Sequence, residues 1–227
     1  MEPHPLDRPV WNSLRGRLSH LAQGYGGVLR IDPDYGPFAA AEPGAEADFA
    51  RCLRSPEDEI WIVEPTVVAP APGLRVIRTA PLLQMIADGP LPAFAGDDDL
   101  VPLGEEDVPE MTALALATQP GPWGPRTCHY GQFHGIRREG RLAAMAGERF
   151  RPAPGLGEVS GVCTWPQFQG QGMAGRLIRR VMAGLAVRGD VPFLHSYAGN
   201  APAIRLYESL GFRARRAMVV TVLGMAE

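Results

Sequence analysis

The 227-residue sequence predicts a mixed α/β (α+β) fold in which a mostly antiparallel central sheet is flanked by helices. Three observations carry this. Apolar segments at 132–138 and 141–150 flank Glu139-Gly140, which suits a tight hairpin turn, and a third at 157–164 completes a meander. The chain then alternates between helical and strand patterns: helix 172–188, strand 192–196, helix 201–210, strand 213–222. Finally, the 27 Gly and 23 Pro fall between apolar segments instead of in one block, as many short elements require.

From the N-terminus, a helix is predicted over 46–53 and strands over 61–63 and 74–77, while the apolar run 82–87 fits a strand and a short helix equally. Residues 88–99 concentrate Gly, Pro and Asp and read as a linker. A boundary at residue 96 then separates an α/β region, 1–96, from a second domain, 97–227. A strand at 99–103 and a helix at 105–118, with Val108, Met111, Leu114 and Leu116 broadly on one face, lead into the meander.

Composition excludes several classes. The net charge is −3, and the positive charge is all Arg, with no Lys, so there is no basic footprint and no nucleic-acid partner is expected. Cys52, Cys128 and Cys163 are odd in number and widely spaced, so neither a disulfide framework nor a metal site is expected. The N-terminus lacks the basic-then-apolar order of a signal peptide, and no run approaches a membrane span. A soluble, cytoplasmic protein without a membrane partner is the simplest expectation.

The stretch from Val162 to Gly175 runs from strand to helix through a turn of small residues. Glycine lets a ligand approach the backbone, and the first helical turn adds unpaired amides and the positive end of the helix dipole, so a pyrophosphate fits. The same pattern also suits a plain tight connection. Arg176, Arg179 and Arg180 lie close enough in sequence to meet further phosphate charge. A Walker loop is excluded because no Gly-Lys-Ser/Thr is present, and the preceding meander disfavours a dinucleotide fold.

Gln169-Gly170-Gln171-Gly172-Met173-Ala174 resembles the pyrophosphate motif Q/R-x-x-G-x-G/A of the GNAT N-acetyltransferases. The segment from Asn200 to Phe212 resembles their second signature, N-x-x-A-x-x-L-Y-E-x-x-G-F. The likeness covers about residues 98–223, and the strand at 157–164 is similar to the C-terminal half of glycine N-acyltransferases. By that analogy the first 96 residues are a degenerate GNAT-like half. The resemblance implies a GNAT fold and acetyl-CoA as cosubstrate. Main-chain groups of Val162, Cys163 and Thr164 would receive the pantetheine arm and acetyl carbonyl. The amides of Gln169, Gly170, Gln171, Gly172, Met173 and Ala174 would hold the pyrophosphate. Asn200 would contact the CoA arm, and it also suits a helix N-cap.

The resemblance further implies direct transfer of the acetyl group to a primary amine. Tyr207 stands where such enzymes place a hydroxyl that protonates the departing thiolate. His195 and Glu158 are the two candidates for the base, each with a structural role as the alternative, and a water relay could replace both. His129, His134 and Cys128 fall where the family places its acceptor loop. Trp123 fits that pocket and a loop-pinning role equally, and Cys163 suits a small buried hydrophobe better than a nucleophile. Two other functions remain open: a non-catalytic acyl-CoA-binding or regulatory protein, and an N-acyltransferase using a longer acyl-CoA on an amino acid. The acceptor is unspecified, and a homodimer is compatible with this reading.

Overall fold

The computed structural model of the chain describes residues 4–91, 94 and 96–226. Outside them lie Met1, Glu2 and Pro3 of the N-terminal stretch read for a signal peptide, Pro92, Ala93 and Ala95 of the expected linker, and Glu227.

The chain opens with helix α1 (Pro9–Arg15), then a three-stranded antiparallel sheet of β1 (Ala22–Tyr25), β2 (Val28–Ile31) and β3 (Ala39–Ala41). The helix expected at 46–53 is a 3₁₀ helix, Glu46–Cys52, which buries Phe49 and Cys52 against this sheet and β4 (Glu59–Glu64).

Strand β5 (Leu74–Ile86) unites the separate segments expected at 74–77 and 82–87. Its middle, Arg78 to Pro81, is largely exposed, so no apolar pattern marks it. It is a strand because backbone pairing with the last strand, β11 (Arg213–Met225), runs along its whole length. Next come β6 (Leu100–Leu103), α2 (Val108–Thr118), and the hairpin of β7 (Phe133–Arg138) and β8 (Arg141–Glu148). Glu139 and Gly140 turn that hairpin with φ of 52° and 74°, the two left-handed residues that a type I′ turn demands. Strand β9 (Leu156–Thr164), α3 (Met173–Val187), β10 (Val191–Tyr197) and α4 (Ala201–Ser209) precede β11.

The main sheet has the order β4-β11-β5-β10-β9-β8-β7-β6 and is antiparallel at every junction except β10 with β9. Strands β4 and β5 pair with β11 and β10, so the sheet passes without a seam across residue 96, where a division was expected. This is a GNAT fold, a mostly antiparallel central sheet flanked by helices.

Alternation along the strands sends side chains to two cores. Met85 and Leu194 face α3 and α4, where Leu177, Ile178, Val181, Met182 and Leu185 form the apolar stripe of α3, each worth roughly 1.5–3 kcal/mol when buried. Leu82, Phe193 and Val220 face the opposite layer, made by α1, Phe38 and Phe150. Among the described residues, no helix is long and apolar enough to cross a membrane.

Candidate active site

Strands β9 and β10 pair only at Val191 with Leu156, Pro192 with Gly157 and Phe193 with Glu158. Beyond that point β9 stays with β8 as far as Thr164, and β10 stays with β5 as far as Tyr197. The strands therefore splay apart, and the facing edges of 162–164 and 194–197 have no ladder partner. A bulge marks the divergence: Gly161 has φ +61° at a register shift opposite β8. A Cβ there would lie 2.7 Å from the Phe133 ring, so glycine is required by space as well as by conformation.

The turn after β9 uses the same chemistry. Gly170 and Gly172 have φ of 76° and 73°, with open space where a Cβ would stand. Gly172 is the N-cap of α3 and no side chain caps it, so the first amides of this helix point at whatever approaches the turn. Arg176 faces the linker instead: its Nε donates to Asp97 Oδ2 at 2.6 Å and its Nη2 to Asp99 Oδ2 at 2.9 Å. Hydrogen bonds to Asp97 and Asp99 push the Arg176 guanidinium above its ordinary range.

A cavity of about 390 Å³ occupies the splay. Toward α3 and α4 it is lined by Val162, Thr164, Gln169, Ala174, Asn200 and Tyr207, and Cys163, whose side chain packs against α2, lines it too. Gly170, Gln171, Gly172 and Met173 form the turn between Gln169 and Ala174 without lining the cavity themselves. Asn200 is also an N-cap, its side-chain oxygen accepting from the Ala203 amide at 3.3 Å. Burial raises the pKa of the Tyr207 hydroxyl, which keeps it protonated and able to donate. Burial also pushes the Cys163 thiol up to about 12, which fits a buried hydrophobe and not a nucleophile.

On the opposite face, side chains from four neighbouring strands and two flanking segments form one polar row. Glu158 is fully buried. Its Oε2 accepts from Arg149 Nε at 2.9 Å and from the Phe150 amide at 3.2 Å, and its Oε1 accepts from Arg149 Nη2 at 3.0 Å. Oε1 also meets His195 Nδ1 at 2.7 Å. Burial pushes the Glu158 carboxyl up, but the Arg149 charge and the His195 and Arg149 hydrogen bonds outweigh it and hold the group at about 2. An ionised carboxylate only accepts, so His195 Nδ1 carries a proton.

His195 Nε2 lies 2.9 Å from Gln84 Nε2. Gln84 is itself fixed, its Oε1 accepting from Arg215 Nη1 at 2.7 Å and its Nε2 donating to the Leu6 carbonyl at 2.8 Å. Arg215 then donates to Asp7 Oδ1 at 2.8 Å. The network thus assigns a neutral His195 that receives a bond from Gln84 and gives one to Glu158. His195 and Arg149 line the cavity, and Glu158 is sealed behind them. The two candidate bases are one coupled pair, a relation that nothing in their sequence spacing reveals.

The acceptor-loop candidates lie elsewhere. His129 bonds Glu105 at 2.6 Å, His134 is buried on β7, and neither they nor Cys128 line the cavity. Trp123 donates to Thr112 Oγ1 at 3.2 Å and packs edge-on against Phe133, which is the loop-pinning arrangement. Sequence reasoning did not find Arg149, Gln84 and Arg215. It also missed the apolar wall of Phe38, Trp61, Val63, Leu82, Phe150 and Val220. For Arg149, a lone Arg at the end of an apolar strand was the available signal.

Residues 133–220 match the family model described as FR47-like protein. No curated protein matches the chain. A crystal structure from Novosphingobium aromaticivorans, of a protein assigned to the acetyltransferases of the GNAT family, is 68% identical with a TM-score of 0.97, covering 99% of this chain and 100% of that one. Two more distant structures share the fold. A GCN5-related N-acetyltransferase from Kribbella flavida has 19% identity, a TM-score of 0.60 and coverage of 96% and 94%. A GCN5-related N-acetyltransferase-like protein from Streptococcus suis has 12% identity, a TM-score of 0.58 and coverage of 96% and 92%. Fold, splay and near-complete alignment at high identity lead to one statement: this chain belongs to the GNAT family of acetyltransferases.

Proposed function

We propose that the protein transfers the acetyl group of acetyl-CoA to a primary amine within a ternary complex, in the cytoplasm. One observation carries the reading: the uncapped helix behind Gly170 and Gly172 and the unpaired edge at 162–164 converge on a cavity that also receives Tyr207 and Asn200. In this reading the amides of 169–174 bind the pyrophosphate, and the main chain of Val162, Cys163 and Thr164 orients the pantetheine arm and donates to the developing oxyanion. Bound acetyl-CoA supplies an activated thioester. Tyr207 protonates the departing thiolate. His195, aligned by Glu158, takes the ammonium proton on Nε2 and exchanges its bond from Gln84 as it does so. Cys163, held protonated by burial, leaves direct transfer without an acyl-enzyme as the supported route.

Titration calorimetry of acetyl-CoA into the wild type and into a Gly170→Asp/Gly172→Asp double variant tests the binding half. Wild-type binding that the variant loses while it remains folded supports it. Absence of wild-type binding sinks it. A second reading, transfer of a longer acyl group as in the glycine N-acyltransferases that β9 resembles, is favoured by the apolar wall of the cavity. Competition between acetyl-CoA and octanoyl-CoA separates the two.

A further inference from the structure

We infer that the acceptor is a primary amine with an apolar body and no second positive charge. The inference rests on the acetyl-transfer reading above and names the substrate class of the same site.

The cavity crosses the sheet at the splay. Its α3/α4 end carries the glycine turn and Tyr207, and its other end opens into the layer that packs on Leu82, Phe193 and Val220. His195 has the strand parity of Phe193 and meets its ring edge-on at 5.9 Å, so the proposed base stands at this second end. An amine within reach of His195 therefore places its remaining body in the second chamber.

One wall of that chamber is apolar and already set, while Thr118 and Gln119, at the end of α2, add neutral polar groups to the cavity lining. Phe38 packs edge-on against Phe150 at 4.9 Å and against Trp61 at 6.4 Å, and Val63, Leu82 and Val220 complete the wall. Among the described residues lining the cavity there is no Asp or Glu. The charged group at the wall is Arg149, and its Nε and Nη2 are committed to Glu158. Polycationic acceptors such as polyamines and aminoglycosides need a carboxylate for each extra ammonium group, because a desolvated cation without a partner is strongly disfavoured. An alkyl or aryl body gains from the same wall by the hydrophobic effect and by aromatic contact.

The test uses the full chain, acetyl-CoA and three amines: phenethylamine and the length-matched pair hexylamine and hexamethylenediamine. CoA release is followed with a thiol reagent, and acetyl-CoA affinity is measured separately by calorimetry. The expected result is a kcat/KM for hexylamine and phenethylamine at least about tenfold above that for the diamine. Trp61→Ala should raise the KM for phenethylamine by about tenfold with acetyl-CoA affinity unchanged. Val63→Phe, which fills the chamber, should depress phenethylamine turnover with acetyl-CoA affinity unchanged. A diamine that reacts as well as hexylamine overturns the inference. So does acetyl-CoA binding without transfer to any of the three amines, or a Trp61→Ala effect confined to octanoyl-CoA, which would make the chamber an acyl pocket. Failure of acetyl-CoA to bind at all overturns the transfer reading, and this inference with it.

Discussion

The two ends of the cavity are built differently. The α3/α4 end comes mainly from 162–174 and 200–207, with 118–122 lining the cavity beside them, and works through backbone amides, glycine conformations and one helix N-terminus. The other end is assembled from side chains at Pro9, Phe38, Trp61, Val63, Leu82, Phe150 and Val220, with a polar row whose members come from six separate stretches of chain. A pyrophosphate can be held by main-chain donors, and a short motif encodes those. An acceptor is sorted by side-chain shape and charge, and these are brought together by sheet order.

Substitutions can probe each end separately. Glu158→Ala should have the largest effect, because it leaves the Arg149 charge buried without its partner and costs about 3–5 kcal/mol of stability, read by denaturant unfolding. Acid should act on the same pair. The Glu158 carboxyl is held at about 2, below its ordinary 4.5, so the stability it contributes is complete above 4.5 and is lost as pH falls toward 2. The loss amounts to about 3 kcal/mol, and Glu158→Gln should remove this part of the acid dependence. If the variant retains the wild-type acid profile, the ion pair does not set stability at this end.

At the opposite end Tyr207→Phe should lower kcat by about a hundredfold with acetyl-CoA affinity unchanged. A variant with unaltered kcat would assign Tyr207 to packing alone. Gln84→Leu removes the donor that holds the His195 ring through Nε2, so kcat should fall by about tenfold with acetyl-CoA affinity unchanged. An unaltered kcat would separate the polar row from catalysis. Asn200→Ala should have the smallest effect, about 1 kcal/mol from loss of the α4 cap, together with weaker acetyl-CoA binding if the side chain also meets the CoA arm.

From β6 to β11 every expected element is present, with ends displaced by a few residues, since hairpin turn, apolar alternation and helix caps are local signals. In the first half the reading was weaker. Helix α1 and the small sheet β1–β3 were not anticipated, and β5 was seen only at its two buried ends. The glycine turn was readable because Gly170 and Gly172 must be glycine for conformational reasons. The pairing of Glu158 with His195 was not readable, because the residues lie 37 positions apart and meet only through the register of Phe193 with Glu158.

The residues alone were enough for the strand-turn-helix with its glycine turn, the hairpin, and the placing of Tyr207 and Asn200 on one helix, since each depends on contacts within a few positions. Long-range pairing settled the rest. Insertion of β5 between β10 and β11 makes the first half of the chain part of the sheet, and it brings Gln84 to His195 and Leu82 to the chamber wall. The physical reason is that strand order depends on backbone hydrogen bonds that carry no side-chain signature, so a wall assembled across strands has no counterpart in any continuous stretch of sequence.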